Sequence, residues 1–307
     1  MDPVLRAILL SWDWRLEVLL VLVVLGTLYV RGWRQLRRRT RGNTRRRSQL
    51  ATRWRLVSYL AGLVFIGIAL LSAIDLLSQQ LFFMHMIQHL LLIMIAPPLL
   101  LIANPMPFLL WGLPTSWRRK VGSGLSQVLH RESSVRRNVR SATGPGVIWL
   151  FWTISVIGWH DTTLYNLALT SELVHDLEHL FFFGAGMLFW WHVTGSGPRI
   201  HKQFGLPARI AFTLSAVPPN MALGVVLAFA GTAFYTYYEG VPRVWGIDPA
   251  TDQNIGGIIM WIPGSMMYII AALIMIAALL RGESKKPPMP EKEWASEEAL
   301  AAPGIKK

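Results

Sequence analysis

The sequence predicts an all-α, polytopic integral membrane protein with about seven transmembrane helices. Three observations carry this reading. Hydrophobic residues make up 53% of the 307 positions, and mean hydropathy is +0.40. Charged residues make up only 15%, against about 25% in soluble proteins. The net charge of +13 lies between long apolar runs and not on a polar surface, which argues against a nucleic-acid partner. The same balance excludes a soluble globular enzyme and a disordered chain. The absence of cysteine excludes a disulfide scaffold. Any metal must therefore be held by His, Met, carboxylate or backbone.

About 20 apolar residues cross roughly 30 Å of hydrocarbon. Seven stretches qualify: Leu16–Val30, Leu56–Leu77, Leu81–Ala103, Pro145–Trp159, Leu173–Val193, Ala208–Ala233 and Ile255–Leu280. The first and fourth are short. The first is read as a span and not a signal peptide, because no small-x-small cleavage site follows Val30. Trp12, Trp14 and Trp33 read as interface anchors.

Basic residues concentrate on the cytoplasmic side of membrane proteins. Eleven arginines fall between Arg31 and Arg55, and seven Arg or Lys between spans three and four. Further basic residues follow spans five and seven. Seven spans place all of these on one side. Of the 30 basic residues, only Arg6, Arg15 and Arg243 fall on the other. The expected orientation is N-terminus outside and C-terminus cytoplasmic, with the basic loops also drawn to anionic lipid headgroups. Leu113, Trp117, Val121, Leu125 and Val128 recur at helical steps beside Arg118, Arg119 and Lys120, as in a helix lying on the inner surface. Residues 1–282 form the expected transmembrane domain, and residues 283–307, rich in Pro and charge, an expected disordered tail. No internal repeat is visible.

Eight histidines are present. His130 and His201 fall in cytoplasmic loops as ordinary surface residues. His192, after Trp190 and Trp191, reads as an interfacial anchor. The other five share the outer side. His85 and His89 stand four apart on span three, and His175 and His179 four apart on span five. Residues at i and i+4 share a helix face. At 1.5 Å rise per residue, both pairs begin roughly 6–8 Å below the outer surface. His160 ends span four. A lone intramembrane His ordinarily bonds a neighbouring helix, but two matched pairs at equal depth point to a metal or cofactor site.

Other groups fall at this level. Asp75, Asp176, Glu178 and Asp252 are candidate ligands or ring-orienting acceptors. Met84, Met86 and Met260 are candidate soft ligands, with packing as the plainer role. A cysteine-free, Met-supplemented His site suits copper. Pro97, Pro98, Pro105 and Pro107 are expected to break span three at its inner end. Pro218, Pro219 and Asn220 are expected to interrupt span six, either freeing carbonyls toward a cavity or serving packing alone. Gly256 and Gly257 allow close helix approach.

Four blocks occur in order. They are Leu81-Phe-Phe-Met-His85-Met-Ile-Gln-His89 running on to Pro97-Pro98 and Asn104-Pro105; Trp159-His160 with Tyr165; His175-Asp-Leu-Glu-His179 leading to Phe189-Trp190-Trp191; and Asp252-Gln253 with Gly256-Gly257 and Met260-Trp-Ile-Pro-Gly264. Their order resembles the polytopic CtaG family of cytochrome c oxidase assembly factors over roughly Trp12 to Arg281. Asp161-Thr162 departs from the proline expected after Trp159-His160. The resemblance implies a non-enzymatic protein of the bacterial plasma membrane that matures a haem–copper oxidase, with oxidase subunits as partners and copper as cargo. The spacing argument makes His85, His89, His175, His179 and His160 the expected metal ligands.

Three other readings stand beside it. His175-x-x-Glu178-His179 matches the inverted zinc-protease motif, with Glu178 as general base of a membrane hydrolase. Facing histidines can also clamp a haem, although four-residue spacing crowds two macrocycles. Finally, the histidines could only bind partner helices in a scaffold.

Overall fold

The computed structural model describes residues 12–39, 51–130, 133–197, 200–201 and 205–283. The expected tail, except for Glu283 itself, and residues 40–50 of the first basic connection lie outside them. No strand occurs among the described residues. The helices are α1 (Leu16–Arg39), α2 (Arg53–Leu71), α3 (Ala73–Ser78), α4 (Phe82–Leu90), α5 (Ala96–Ile102), α6 (Pro105–Gly112), α7 (Thr115–Val128) and α8 (Ser134–Ala142). They continue as α9 (Pro145–Trp159), α10 (Thr162–Thr170), α11 (Glu172–Thr194), α12 (Leu206–Leu214), α13 (Val217–Ala228), α14 (Pro249–Ile259) and α15 (Ser265–Glu283). One π-turn, Leu91–Ile95, joins α4 to α5, and a second, Met260–Gly264, joins α14 to α15.

Among the described residues, five stretches are long and apolar enough to cross a membrane: Leu16–Arg39, Arg53–Leu71, Phe82–Ile102, Leu206–Ala228 and Pro249–Gly282. The pair α8 and α9, bent by 52°, makes a sixth if counted as one broken span. The remaining expected span coincides with α11. Its 23 residues reach about 34 Å at 1.5 Å each. Length is sufficient, but Glu172, Asp176 and Glu178 in its first half dilute its apolar character.

The prolines act differently from expectation. Pro97 and Pro98 do not break span three. Pro97 has no N–H to offer the carbonyl four residues earlier, that of Ile93. The chain widens into the π-turn there and runs on to Ile102. The Ile93 carbonyl instead accepts a 2.9 Å bond from the Trp190 indole of α11. The break comes at Asn104, which adopts left-handed backbone geometry (φ 52°) ahead of Pro105. In span six the interruption falls at Ser215–Ala216, just before the prolines. Asn220 then donates 2.9 Å to the Met260 carbonyl in the second π-turn and 3.2 Å to Ser265 Oγ. Both freed carbonyls thus serve helix packing.

Small residues let backbones touch. A Cβ at Gly32 of α1 would collide with the Phe108 carbonyl of α6, and one at Gly112 with that of Leu28. As expected, Gly256 and Gly257 sit against Phe82 and Ala228. Beside the α1–α6 contact, Tyr29 stacks on Tyr59 at 3.9 Å. Its hydroxyl donates to the Ala103 carbonyl. α1 is therefore gripped at its C-terminal half. Its N-terminal half packs less, with Leu16 and Leu20 about two-thirds or more exposed. α7 forms over the expected surface stretch and buries no residue.

Gly32→Leu forces α1 off α6. We expect it to destabilise the protein by about 2 kcal/mol or more, through overpacking. Gly184→Ala, with nothing near its added methyl, is the neutral control. Thermal unfolding in detergent by fluorescence-detected size exclusion measures both.

Candidate metal centre

α4 carries the first histidine pair, and its start is held from far along the chain. Leu81 supplies no side-chain cap. The N–H groups of Phe82 and Phe83 donate to the two oxygens of Asp252, 3.0 Å each. A carboxylate suits a helix N-terminus, where unpaired N–H groups and the helix dipole are both positive. Asp252 is fully buried and pairs with Arg243 at 3.0 Å. Arg243 also donates to the carbonyls of Gln80, Tyr238 and Ile247. One position before His89, Gln88 donates to Asp75 at 2.6 Å and to the Ala69 carbonyl at 2.8 Å.

α11 presents His175, Glu178 and His179 on one face, the i, i+3, i+4 pattern. On the flank of that face, Asp176 is gripped by Arg15, the residue before α1, through two bonds of 2.7 and 2.8 Å. That bidentate bond holds the Arg15 guanidinium above its usual range.

The two faces meet. The ring centroids of His85 and His175 lie 5.1 Å apart, and those of His89 and His179 5.6 Å. Within each pair the rings are 4.2 Å apart. Glu178 stands between, with one oxygen 3.6 Å from His85 Nε2 and the other 3.7 Å from His89 Nε2. On two sets of three residues the donor atoms all lie within 4.8 Å of one another: His85, His175 and His179, and His85, His89 and Glu178.

His85 is oriented from behind. Its Nδ1 contacts the Tyr165 hydroxyl at 2.9 Å, which leaves Nε2 facing the cluster. The buried Tyr238 phenol, pushed up by burial and so kept neutral, donates 2.9 Å to the Ser78 carbonyl and backs the same nitrogen at 3.4 Å. Across the cluster, His85 Nε2, both nitrogens of His89 and His179, His175 Nε2 and both Glu178 oxygens are buried without a hydrogen-bond partner. Each such group ordinarily costs about 1–3 kcal/mol. So many converging lone pairs fit a cation, and imidazole with carboxylate is a donor set for copper or zinc.

The other candidates divide. His160 follows the last residue of α9, and its Nδ1 donates 2.6 Å to the Val156 carbonyl. Its Nε2 faces Met86 Sδ at 3.5 Å, away from the two ligand sets. Met260 lies with Met86 and His160 around a separate small cavity. Met84 is half-buried and lines neither. Asp252, Asp75 and Asp176 serve as helix cap, Gln88 acceptor and Arg15 partner. His192 is buried, not interfacial, and its Nε2 donates to the Thr143 carbonyl. His201 meets Thr143 Oγ1 at 2.8 Å. His130 is exposed. The residues that sequence reasoning passed over, Gln88, Arg243 and Tyr238, carry no local pattern. Their partners come from distant helices.

A groove of about 430 Å³ opens on the outer side between α1 and α11, lined by Val18, Leu22, Leu25, Leu63 and Leu180 and reaching His179. Arg15 and Asp176 line the same groove.

A family model described as cytochrome c oxidase caa3 assembly factor matches residues 27–282. An uncharacterized protein of Mycobacterium bovis is 25% identical over 290 residues, 92% of this chain and 41% of its own length. A Mycobacterium tuberculosis relative gives the same figures. One from Mycobacterium leprae is 26% identical over 288 residues, covering 89% of this chain and 40% of its own length. The chain thus spans about two fifths of the curated relatives it matches. No solved structure matches.

Asp252→Ala leaves two helix N–H groups and Arg243 without their partner. We expect a loss of about 3–5 kcal/mol, as for a broken buried ion pair, read as a lower unfolding temperature. Asp248→Ala, which removes only an exposed cap of α14, should cost about 1 kcal/mol.

Proposed function

The chain belongs to the cytochrome c oxidase caa3 assembly factor family, and we propose that it holds copper as cargo for a haem–copper oxidase under assembly. The observation that carries this is the converging set of buried, unpartnered donors on His85, His89, His175, His179 and Glu178. It works in a bacterial plasma membrane through seven spans, α11 included, with the N-terminus outside. The basic loops support that orientation.

Copper enters from the outer face. His85 belongs to both three-residue ligand sets. An ion can therefore exchange His175 and His179 for His89 and Glu178 while it stays on His85. Such overlapping, incomplete sets suit a carrier, which must release its metal. The groove between α1 and α11 gives an oxidase subunit lateral access at His179, and the Arg15–Asp176 pair holds its outer end. A haem between these rings would collide with Glu178, which sits within 3.7 Å of both His85 and His89.

We expect about one equivalent of copper bound through nitrogen and oxygen alone in protein purified without a His-rich tag, and a loss of that sulfur-free copper of at least tenfold in the His85/His89/His175/His179 quadruple Ala variant. Oxidase maturation should fall with it. Sulfur-free copper retained in the quadruple variant sinks the site, and a Soret band restores the haem reading. Glu178→Gln separates the assembly factor from a hydrolase. We expect weaker copper binding and no peptide or lipid hydrolysis by either form. Hydrolysis by the wild type that vanishes in Glu178→Gln at unchanged metal content would overturn the proposal.

A further inference from the structure

One turn below His89 lies a second enclosed space, about 20 Å³, lined by Met86, His89, Met94, His160, Asn220 and Met260 among others. That is room for a single atom-sized occupant, since a water needs about 10–15 Å³ on this measure. Its chemistry is one-sided. His160 Nδ1 bonds a carbonyl, which only accepts, so Nδ1 carries the proton of the neutral ring. Nε2 therefore points a lone pair at the Met86 thioether, which also has no proton to give. Asn220 spends its amide hydrogens on the Met260 carbonyl and Ser265, leaving Oδ1 buried and unpartnered. Met94 and Met260, two further thioether side chains with no proton to give, are also among the lining residues.

The 3.5 Å separation of His160 Nε2 and Met86 Sδ is itself informative. Two metal bonds of about 2.0 Å to nitrogen and 2.3 Å to sulfur, meeting at a tetrahedral angle, span about 3.5 Å. Thioethers select soft, monovalent copper over zinc or copper(II).

We infer that Met86, Met260 and His160, with Met94 and Asn220 at its rim, form a second, Cu(I)-selective site beside the His/Glu cluster. His89 borders both, so it is the shared wall across which Cu(I) exchanges nitrogen for sulfur ligands without a change of oxidation state. The inference rests on the copper reading above for the identity of the ion.

Anaerobic titration of the full-length, untagged protein with Cu(I), against a chromophoric Cu(I) chelator, tests it together with X-ray absorption at the copper edge. Wild type should take two equivalents and show sulfur scattering. Met86→Leu/Met94→Leu/Met260→Leu, a volume-conserving change, should keep one equivalent and lose all sulfur scattering. His85→Ala/His175→Ala/His179→Ala should keep the sulfur-bound equivalent. No sulfur scattering in saturated wild type, or none lost in the Met variant, overturns the second site. If a sulfur-free equivalent is then still lost in the His variant, the carrier proposal stands alone. No copper bound at all overturns both.

Discussion

The hydrogen bond from the Trp190 indole to the Ile93 carbonyl sets the alignment on which the rest depends. It exists because Pro97 cannot bond that carbonyl and the helix widens around it. Gly186 lets α11 approach so closely that an added Cβ would press on the same carbonyl. Bond and contact together lock α11 against span three. Ile93 is four residues below His89, and Trp190 eleven below His179. Slipping one helix by a single residue would turn its histidines about 100° off the shared face. The π-turn, far from a defect, is the register pin of the two His rows.

Polar groups around this pin are arranged by economy. In an apolar surrounding every lone pair or N–H without a partner is costly. Asp252, Asp75, Gln88, Arg243 and Asn220 are therefore spent on one another or on backbone left open by helix ends and π-turns. Against that pairing, the unpartnered nitrogens and oxygens of the His/Glu cluster stand out by their number and their convergence. The cavity beside Met86, with the unpartnered Asn220 Oδ1 in its lining, adjoins them at His89.

Much of this was legible in the sequence. Matched His pairs at equal depth, on two helices that run in the same direction, imply convergence, and the spacing of His175, Glu178 and His179 places them on one face. Legibility ends where long-range pairing decides. Asp252 reads as a ligand candidate but caps a helix that starts 170 residues earlier. His160 has the right depth, yet α9 ends just before it and its ring turns back on Val156. The prolines of span three signalled distortion, but not that a tryptophan would consume the freed carbonyl and keep the span whole. α11 is not among the stretches apolar enough to cross a membrane, and the cluster's Glu178 and histidines are part of what dilutes it.

The Asp252 cap has a consequence for biosynthesis. Every member of the His/Glu cluster has been synthesised once the chain reaches residue 179. Yet the helix bearing His85 and His89 has open N–H groups at its start until Asp252 and Arg243 arrive, some seventy residues later. A nascent chain therefore carries its histidines on an unfinished helix, and their mutual geometry matures only when the last span docks. Geometry is coupled to completion, and a chain truncated before Asp252 is denied a finished His/Glu cluster.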